Sequence, residues 1–265
     1  GPVLSRDTHL DAAIAAFTAS NNAVENVQSL LGIARAQYLK GDATAAINAA
    51  NNAIDKDADG DFVFYIEFDA QNGPTNTMQD ALYDRGSFDD LQPLPSLDFL
   101  DPKFAFLSAV EDSKIPLFKI EEAHLIKAEA QQSNGDDPGA ITTLTDVLNL
   151  VATRPTRALN DNVEDRTQRN PGSRPDSTDI TVDGRDSLVL YRGGGPVNIP
   201  TISGTSYTPA DLAGLSGDAL LEMIYRIRQE IFIAEGMRSV DMGITFVMSE
   251  NELLINDNYK DTKWK

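Results

Sequence analysis

The sequence predicts an all-α protein made of helical hairpins that are joined by long irregular loop insertions. Three observations lead to this prediction. Apolar residues recur at helical spacing in separate parts of the chain, a Gly-Asp pair interrupts that spacing twice, and the first intervening segment is rich in Asp, Pro and Phe. Because 41% of the residues are hydrophobic, a folded core is expected. We therefore expect a single domain over residues 1–265.

The first hairpin is predicted over about residues 24–54. Its first helix carries apolar residues at spacings of three and four, namely Val27, Leu30, Leu31, Ala34 and Tyr38. Gly41 is typical of a helix end, and Asp42 is typical of the N-cap of the next helix. The second helix resumes the apolar spacing with Ala46, Ile47, Ala50 and Ile54.

The second hairpin is predicted over about residues 117–151, because it repeats the first. The positions that match at an offset of 94 residues are Ala34 with Ala128, Gly41-Asp42 with Gly135-Asp136, and Ala46-Ile47 with Ala140-Ile141. Small residues at a helix crossing followed by a Gly-Asp turn indicate tetratricopeptide-like hairpins. The offset is much longer than the ~34 residues of a regular array, so inserted chain must separate the two copies. Asp137 is expected to cap the second helix, with Pro138 at its first position.

The insertions are predicted at about residues 55–116 and 154–208. The first contains a strand-like stretch from Phe62 to Phe68 and is otherwise irregular. A C-terminal helix is predicted over about residues 209–236, beginning at the capping-box spacing of Thr208 and Asp211 or after Ser216. Glu235-Gly236 is expected to end it.

Charge and composition exclude several classes of partner. The 41 acidic and 22 basic residues give a net charge of −19, which disfavours nucleic acid and anionic lipid surfaces as partners. There is no cysteine, so disulfides and thiolate metal sites are excluded. No apolar run approaches the roughly 20 residues of a membrane span, so the chain is expected to be soluble.

A candidate metal site lies in the acidic segment after the first hairpin. Asp55, Asp57, Asp59 and Asp61 alternate around Gly60, as in the first half of a calcium loop. The second half departs from that pattern, because the twelfth position is Ile66 and Glu67 follows one residue late. The alternative is a solvated acidic turn. No other cofactor is expected.

Aromatic side chains in the irregular regions are candidates for ligand binding, because their faces stack on the apolar side of sugar rings. The candidates are Tyr83, Phe88, Tyr191, Tyr207 and Trp264. The alternative is that they anchor the loops by packing.

No catalytic constellation is predicted. His9 and His124 are the only imidazoles, and each is solitary in the sequence. Glu121, Glu122 and Glu129 are expected to form a solvated helix face. Charged residues near the C-terminus are expected to form a buried structural ion network, namely Arg228, Glu235, Arg238 and Asp241.

Two phrases of the chain resemble the SusD/RagB family. The first runs from Leu117 to Ala130, reads LFKIEEAHLIKAEA, and is followed by Gly135-Asp136 and Ala140-Ile141. It is similar to the family's hydrophobic strand, its helix with L-I-K/R-A-E-A, and its A-I-x-x-L continuation. The second phrase, Glu235 to Met242, is similar to the family's E-G-x-R-x-x-D-L.

The resemblance implies a cell-surface nutrient-binding protein that holds an oligosaccharide or other glycan, or a peptide, in its loops. It further implies a location at the outer membrane through a lipid anchor, and a TonB-dependent, SusC-like transporter as partner. Catalysis is not implied. The alternative, which depends on the repeated hairpin alone, is a helical-repeat scaffold that binds a protein or peptide partner.

Overall fold

The computed structural model describes residues 5–69, 71–76, 114–159, 197–232 and 235–237. In these ranges the chain is mostly helical, which confirms the all-α character that the sequence predicts. The helices are α1 (Arg6–Ala23), α2 (Val27–Lys40), α3 (Ala43–Lys56), α4 (Ile120–Ser133), α5 (Asp137–Thr153) and α6 (Gly217–Ile231). Four short strands form two antiparallel pairs, β1 (Val63–Ile66) with β2 (Ile115–Lys119), and β3 (Thr156–Leu159) with β4 (Val197–Pro200).

The same turn joins α2 to α3 and, 94 residues later, α4 to α5. Gly41 and Gly135 adopt positive φ angles of 78° and 80°, which an L side chain rarely tolerates. In the first turn the amide of Asp42 donates to the carbonyl of Gln37 at 3.1 Å, and Asp136 makes the equivalent bond to Gln131 at 2.9 Å. Each of these aspartates also caps the helix that follows it. The cap of α5 is therefore Asp136 and not Asp137.

Helix α4 lies between two hydrophobic clusters and contributes to both. Ala123 and Ile126 belong to the cluster formed with α2, α3 and Phe118 of β2. Leu125 and Ala128 belong to the cluster formed with α5, α6 and the preceding loop. Burial of one large aliphatic side chain contributes roughly 1.5–3 kcal/mol, so α4 is held by the cores on both of its sides.

The β1–β2 ribbon brings together the two ends of the first insertion. Val63 pairs with Lys119 and Ile66 with Ile115, with an irregularity in register between Phe64 and Tyr65. The amide of Ile120 then donates to the carbonyl of Phe62 at 3.0 Å, directly at the start of α4. The strand predicted within residues 62–68 is thus present, and it positions the N-terminus of α4.

Three element boundaries differ from the sequence-based expectation. Helix α1 was not predicted, because none of its side chains is buried and it carries no strong apolar face. Helix α2 begins after Asn26, whose side chain accepts from the amide of Ser29 at 2.8 Å, and Val24 is 71% exposed. Asp211 accepts from the amide of Thr208 at 2.7 Å, but this closes the short 3-10 turn Pro209–Leu212. The C-terminal helix, α6, begins only at Gly217.

Candidate functional site

Glu121 lies at the start of α4 and forms a buried ion pair, so the expectation of a solvated glutamate is wrong for this residue. The guanidinium of Arg154 donates to its two carboxylate oxygens at 2.7 and 2.8 Å, and the Glu121 side chain is 0% exposed. Burial opposes ionisation, but the hydrogen bond from Arg154 and the charges of Lys119 and Arg154 outweigh it. The pKa of Glu121 is therefore lowered.

Glu122 is buried in the same way, so the expectation fails for this residue too. Arg35 of α2 donates to both of its carboxylate oxygens at 2.6 Å, and the Glu122 side chain is 0% exposed. Arg35 also donates to the carbonyl of Leu117 at 2.6 Å and stacks over the ring of Phe118, 4.2 Å from its centroid. The pair ties the first hairpin to the second through a bidentate contact.

Lys119, the last residue of β2, forms a third buried pair. Its Nζ donates to Oε1 of Glu235 at 2.6 Å and to the carbonyl of Ile231 at 2.7 Å, and the two charged side chains are 1% and 4% exposed. Glu235 was expected to join Arg228, Arg238 and Asp241 in an ion network. Lys119 is one buried partner of Glu235. Residues 238 and 241 lie outside the described residues, so the network stays a prediction.

Glu129, two turns further along α4, differs from the glutamates at the start of the helix. It has no cationic partner among the residues that the structure describes. Its carboxylate accepts hydrogen bonds from the hydroxyl of Tyr38 at 3.0 and 3.2 Å and from that of Tyr225 at 3.2 Å. Burial raises the pKa of Tyr38 far above its ordinary value although the charge of Arg228 opposes this, so the phenol remains a proton donor.

A cavity of about 150 Å³ opens beside this carboxylate, between the two hairpins. Its lining consists of Tyr38, Gly41, Ala43, Ala46, Glu129, Ala130 and Ser133. Of these residues, Ala46 is fully buried, whereas Gly41 and Ser133 are exposed. The cavity therefore combines apolar methyl groups with one carboxylate and reaches the surface at the Gly-Asp turn.

The structure describes one of the five aromatic residues predicted to bind ligand. Tyr207 is 9% exposed and packs in the cluster of α5 and α6. This burial favours the packing alternative for Tyr207, because a stacking platform must present a ring face to the ligand. The other four, Tyr83, Phe88, Tyr191 and Trp264, lie outside the described residues.

The acidic segment predicted to bind calcium forms a turn after α3. Oδ2 of Asp57 accepts from the amide of Phe62 at 2.9 Å, and the carbonyl of Asp61 accepts from Arg154 at 2.7 Å. In the described part of the chain, which includes Asp55 and Asp59, no three or more carboxylate or imidazole side chains are grouped so as to hold a metal ion. Calcium binding by this segment stays a prediction.

His124 is the more buried of the two histidines. Burial lowers its pKa, with Lys127 adding to the effect and Asp146 opposing it, so the imidazole is neutral at pH 7. His9 lies on the exposed surface of α1. Neither residue belongs to the cavity lining.

Several residues of the site escaped the sequence analysis, namely Arg35, Arg154 and the cavity-lining residue Ser133, whereas Glu129 was expected only as part of a solvated helix face. A weak signal existed for Arg35, because a charged residue between Ala34 and Ala36 of an apolar helix face requires a partner if it is buried. For Arg154 and Ser133 the sequence offered no signal. Their partners become neighbours only through the packing of α4.

No protein-family profile, curated protein or solved structure matches this chain. Among the described helices, none combines the length and the apolar character that crossing a bilayer requires. Function has therefore to be inferred from the sequence phrases and from the geometry of the site.

Proposed function

We propose that this chain is a cell-surface nutrient-binding protein of the SusD/RagB kind, which holds an oligosaccharide and works with a TonB-dependent outer-membrane transporter. The native protein would be lipid-anchored at the outer membrane. The observation that carries the proposal is the strand-to-helix phrase from Leu117 to Ala130. It folds as β2 followed by α4, and the Gly135-Asp136 turn comes next.

The charged residues of this phrase form buried ion pairs, which explains why charged residues are needed at these positions. Three charged residues lie close together in the sequence, namely Lys119, Glu121 and Glu122. Each of them forms a buried ion pair with a different part of the chain. A buried pair requires a particular charge at a particular place. A resemblance at these positions therefore supports a shared fold, with the two hairpins as its tetratricopeptide-like scaffold.

In this proposal the scaffold is rigid and the inserted loops bind the ligand. Buried ion pairs at Lys119, Glu121 and Glu122 hold the junction of β2 and α4, so the hairpins can serve as a docking surface for the transporter. The net charge of −19 is compatible with a neutral glycan as ligand. Binding of such a ligand requires no cofactor. Tyr83, Phe88, Tyr191 and Trp264 remain the candidates for stacking on sugar rings.

A glycan array, followed by calorimetry on any ligand it identifies, tests the proposal. We expect binding to at least one oligosaccharide class, and we expect Tyr191→Ala or Tyr83→Ala to weaken it at least tenfold. Leu117→Ala is the control, because this exposed apolar residue lies on β2 rather than in an inserted loop. An array without any binding, at protein concentrations that detect millimolar affinity, would refute glycan capture.

The second candidate function is a helical-repeat scaffold that binds a protein or peptide partner. One observation favours it: the cavity lies between the hairpins and not among the loops. Pull-down from the native cell envelope separates the two functions. Capture of a polypeptide that persists after loop substitutions, together with an empty glycan array, would support the scaffold.

A further inference from the structure

Glu129 stands out from the other glutamates of α4 because of what surrounds it. Glu121 and Glu122 each receive an arginine in bidentate geometry. Within the described ranges, Glu129 receives only phenol hydroxyls, from Tyr38 and Tyr225. Arg228 stacks its guanidinium 5.0 Å from the centroid of Tyr38, but it does not line the cavity. Among these three glutamates of α4, Glu129 is therefore the one that borders the cavity and has no ion-pair partner within the described residues.

The hydrogen bonds at Glu129 leave part of its acceptor capacity unused. A carboxylate offers about four acceptor positions on its two oxygens. Among the described residues, Oε1 accepts from Tyr38 and Tyr225, whereas Oε2 accepts from Tyr38 alone. A further donor that enters the cavity can therefore bond to the carboxylate of Glu129 without displacing either phenol.

The size and the walls of the cavity restrict what this donor can be. At about 150 Å³ it is smaller than most small-molecule sites, which measure roughly 300–1,000 Å³. A space of roughly this size holds a benzene-sized group, which is comparable to the butylammonium end of a lysine. The methyl groups of Ala43, Ala46 and Ala130 would contact the methylenes of such a chain, while the carboxylate accepts from its ammonium.

We propose that this cavity binds the side chain of a lysine that a partner polypeptide presents. Charge complementarity favours a polypeptide with a basic segment, because the chain carries a net charge of −19 and attracts cationic partners at long range. The small volume admits one side chain, so specificity for the rest of the partner must come from contacts outside the cavity. This inference depends on the cavity and on Glu129, and it is independent of glycan binding by the loops.

Backbone amide NMR on the full chain tests the proposal with three probes. The first is the capped pentapeptide Gly-Gly-Lys-Gly-Gly, the second has norleucine in place of lysine, and the third is n-butylamine. We expect saturable shifts of the Gly41, Ala43 and Ser133 amides with the lysine peptide at millimolar concentration and low salt, weaker binding of n-butylamine, and no shifts with the norleucine peptide. Equal shifts with the norleucine peptide would overturn the role of Glu129, and equal affinity for n-butylamine would overturn the polypeptide partner.

Two variants and one control complete the test. Glu129→Gln keeps an acceptor for both phenols but removes the charge, and we expect at least tenfold weaker peptide binding. Ala43→Leu fills the cavity and leaves the carboxylate in place, and we expect the same loss. Glu222→Gln is the control, because Glu222 is an exposed carboxylate on α6 that pairs with Arg226. Unchanged binding in either cavity variant, with amide dispersion preserved, would overturn the proposal.

Discussion

The guanidinium of Arg154 donates to both carboxylate oxygens of Glu121, with the two side chains 5% and 0% exposed. Arg154 caps the C-terminus of α5, and Glu121 lies in the first turn of α4. Arg154 also donates to the carbonyl of Asp61, just before β1. One arginine thus joins both helices of the second hairpin to the chain that leaves the first.

Arg154→Met is expected to destabilise the protein by about 3–5 kcal/mol, because it leaves the Glu121 carboxylate buried and unpaired. Chemical denaturation followed by circular dichroism measures the loss. The double variant Glu121→Leu with Arg154→Met should recover much of it, since neither buried charge remains. Arg226→Met is the control and should cost less than about 1 kcal/mol, because its pair with Glu222 is exposed. A loss in Arg154→Met no larger than in the control would contradict this account.

Glu121 should also make stability depend on pH in the acid range. Its pKa in the folded protein lies below the ordinary value of 4.5. Its contribution is therefore complete above the pKa of the unfolded chain and is lost as pH falls through the folded value. We expect the difference in Tm between the wild type and Glu121→Gln to be constant from about pH 5 to 7 and to shrink below pH 4.5. A difference that stays constant down to pH 3 would contradict the lowered pKa.

The hairpins could be predicted from the sequence because their signals are local. Gly41 with Asp42, and Gly135 with Asp136, form their turns through hydrogen bonds to residues only a few positions away. Local chemistry of this kind can be read without knowledge of the fold. The strand around Val63 could be predicted for the same reason, because its sequence signal is also local.

The buried ion pairs of Glu121 and Glu122 in α4 could not be predicted, because the arginine partners of these glutamates are distant in sequence. Arg154 lies 33 residues from Glu121, and Arg35 lies 87 residues from Glu122. Three glutamates on one helix most often face solvent, and only the packing of α4 between two clusters changes that for Glu121 and Glu122. The cavity at Glu129 likewise exists only where two hairpins meet.

The two Gly-Asp turns predict a graded response to substitution. Nothing lies within 4 Å of a Cβ built on Gly41 or Gly135, so the cost of a side chain is set by the positive φ alone. Gly→Ala at either position should cost about 1–2 kcal/mol, and Gly→Asn should cost less, because Asn tolerates this conformation. Thermal unfolding of the four single variants measures the order. Equal losses for Ala and Asn would show that backbone conformation is not the cause.

Calcium binding after α3 remains to be tested by calorimetric titration. Asp55, Asp57, Asp59 and Asp61 would have to leave their present arrangement to surround one ion, because Asp57 is engaged with the amide of Phe62. If the segment binds calcium, heat should be released on titration and should disappear in Asp57→Asn and Asp59→Asn, but not in the control Asp218→Asn on α6. The absence of heat in the wild type would remove calcium from the list of ligands.

The contact between Gly32 of α2 and Phe17 of α1 leads to a prediction about how α1 is held against α2. A Cβ at Gly32 would lie 2.6 Å from the ring of Phe17, and α1 has no buried side chain of its own. Ala is intrinsically favoured over Gly inside α2 by about 1 kcal/mol, so Gly32→Ala should preserve or strengthen α2. Its effect should fall on α1, whose polar ties to α2 are from Arg6 to the carbonyl of Leu39, from Asp11 to Lys40 and from Ser20 to Ser29.

Hydrogen exchange separates these two effects of Gly32→Ala. We expect protection of the amides in residues 6–23 to fall roughly tenfold or more, since docking supplies most of the stability of a marginal surface helix. Protection in α2 and α3 should be unchanged. The double variant Phe17→Ala with Gly32→Ala removes the steric clash, so it should lose no more protection in α1 than Phe17→Ala alone. If Gly32→Ala left exchange in α1 unaltered, contact between Phe17 and Gly32 would not be what holds the helix, and the polar contacts of Arg6, Asp11 and Ser20 would have to do so.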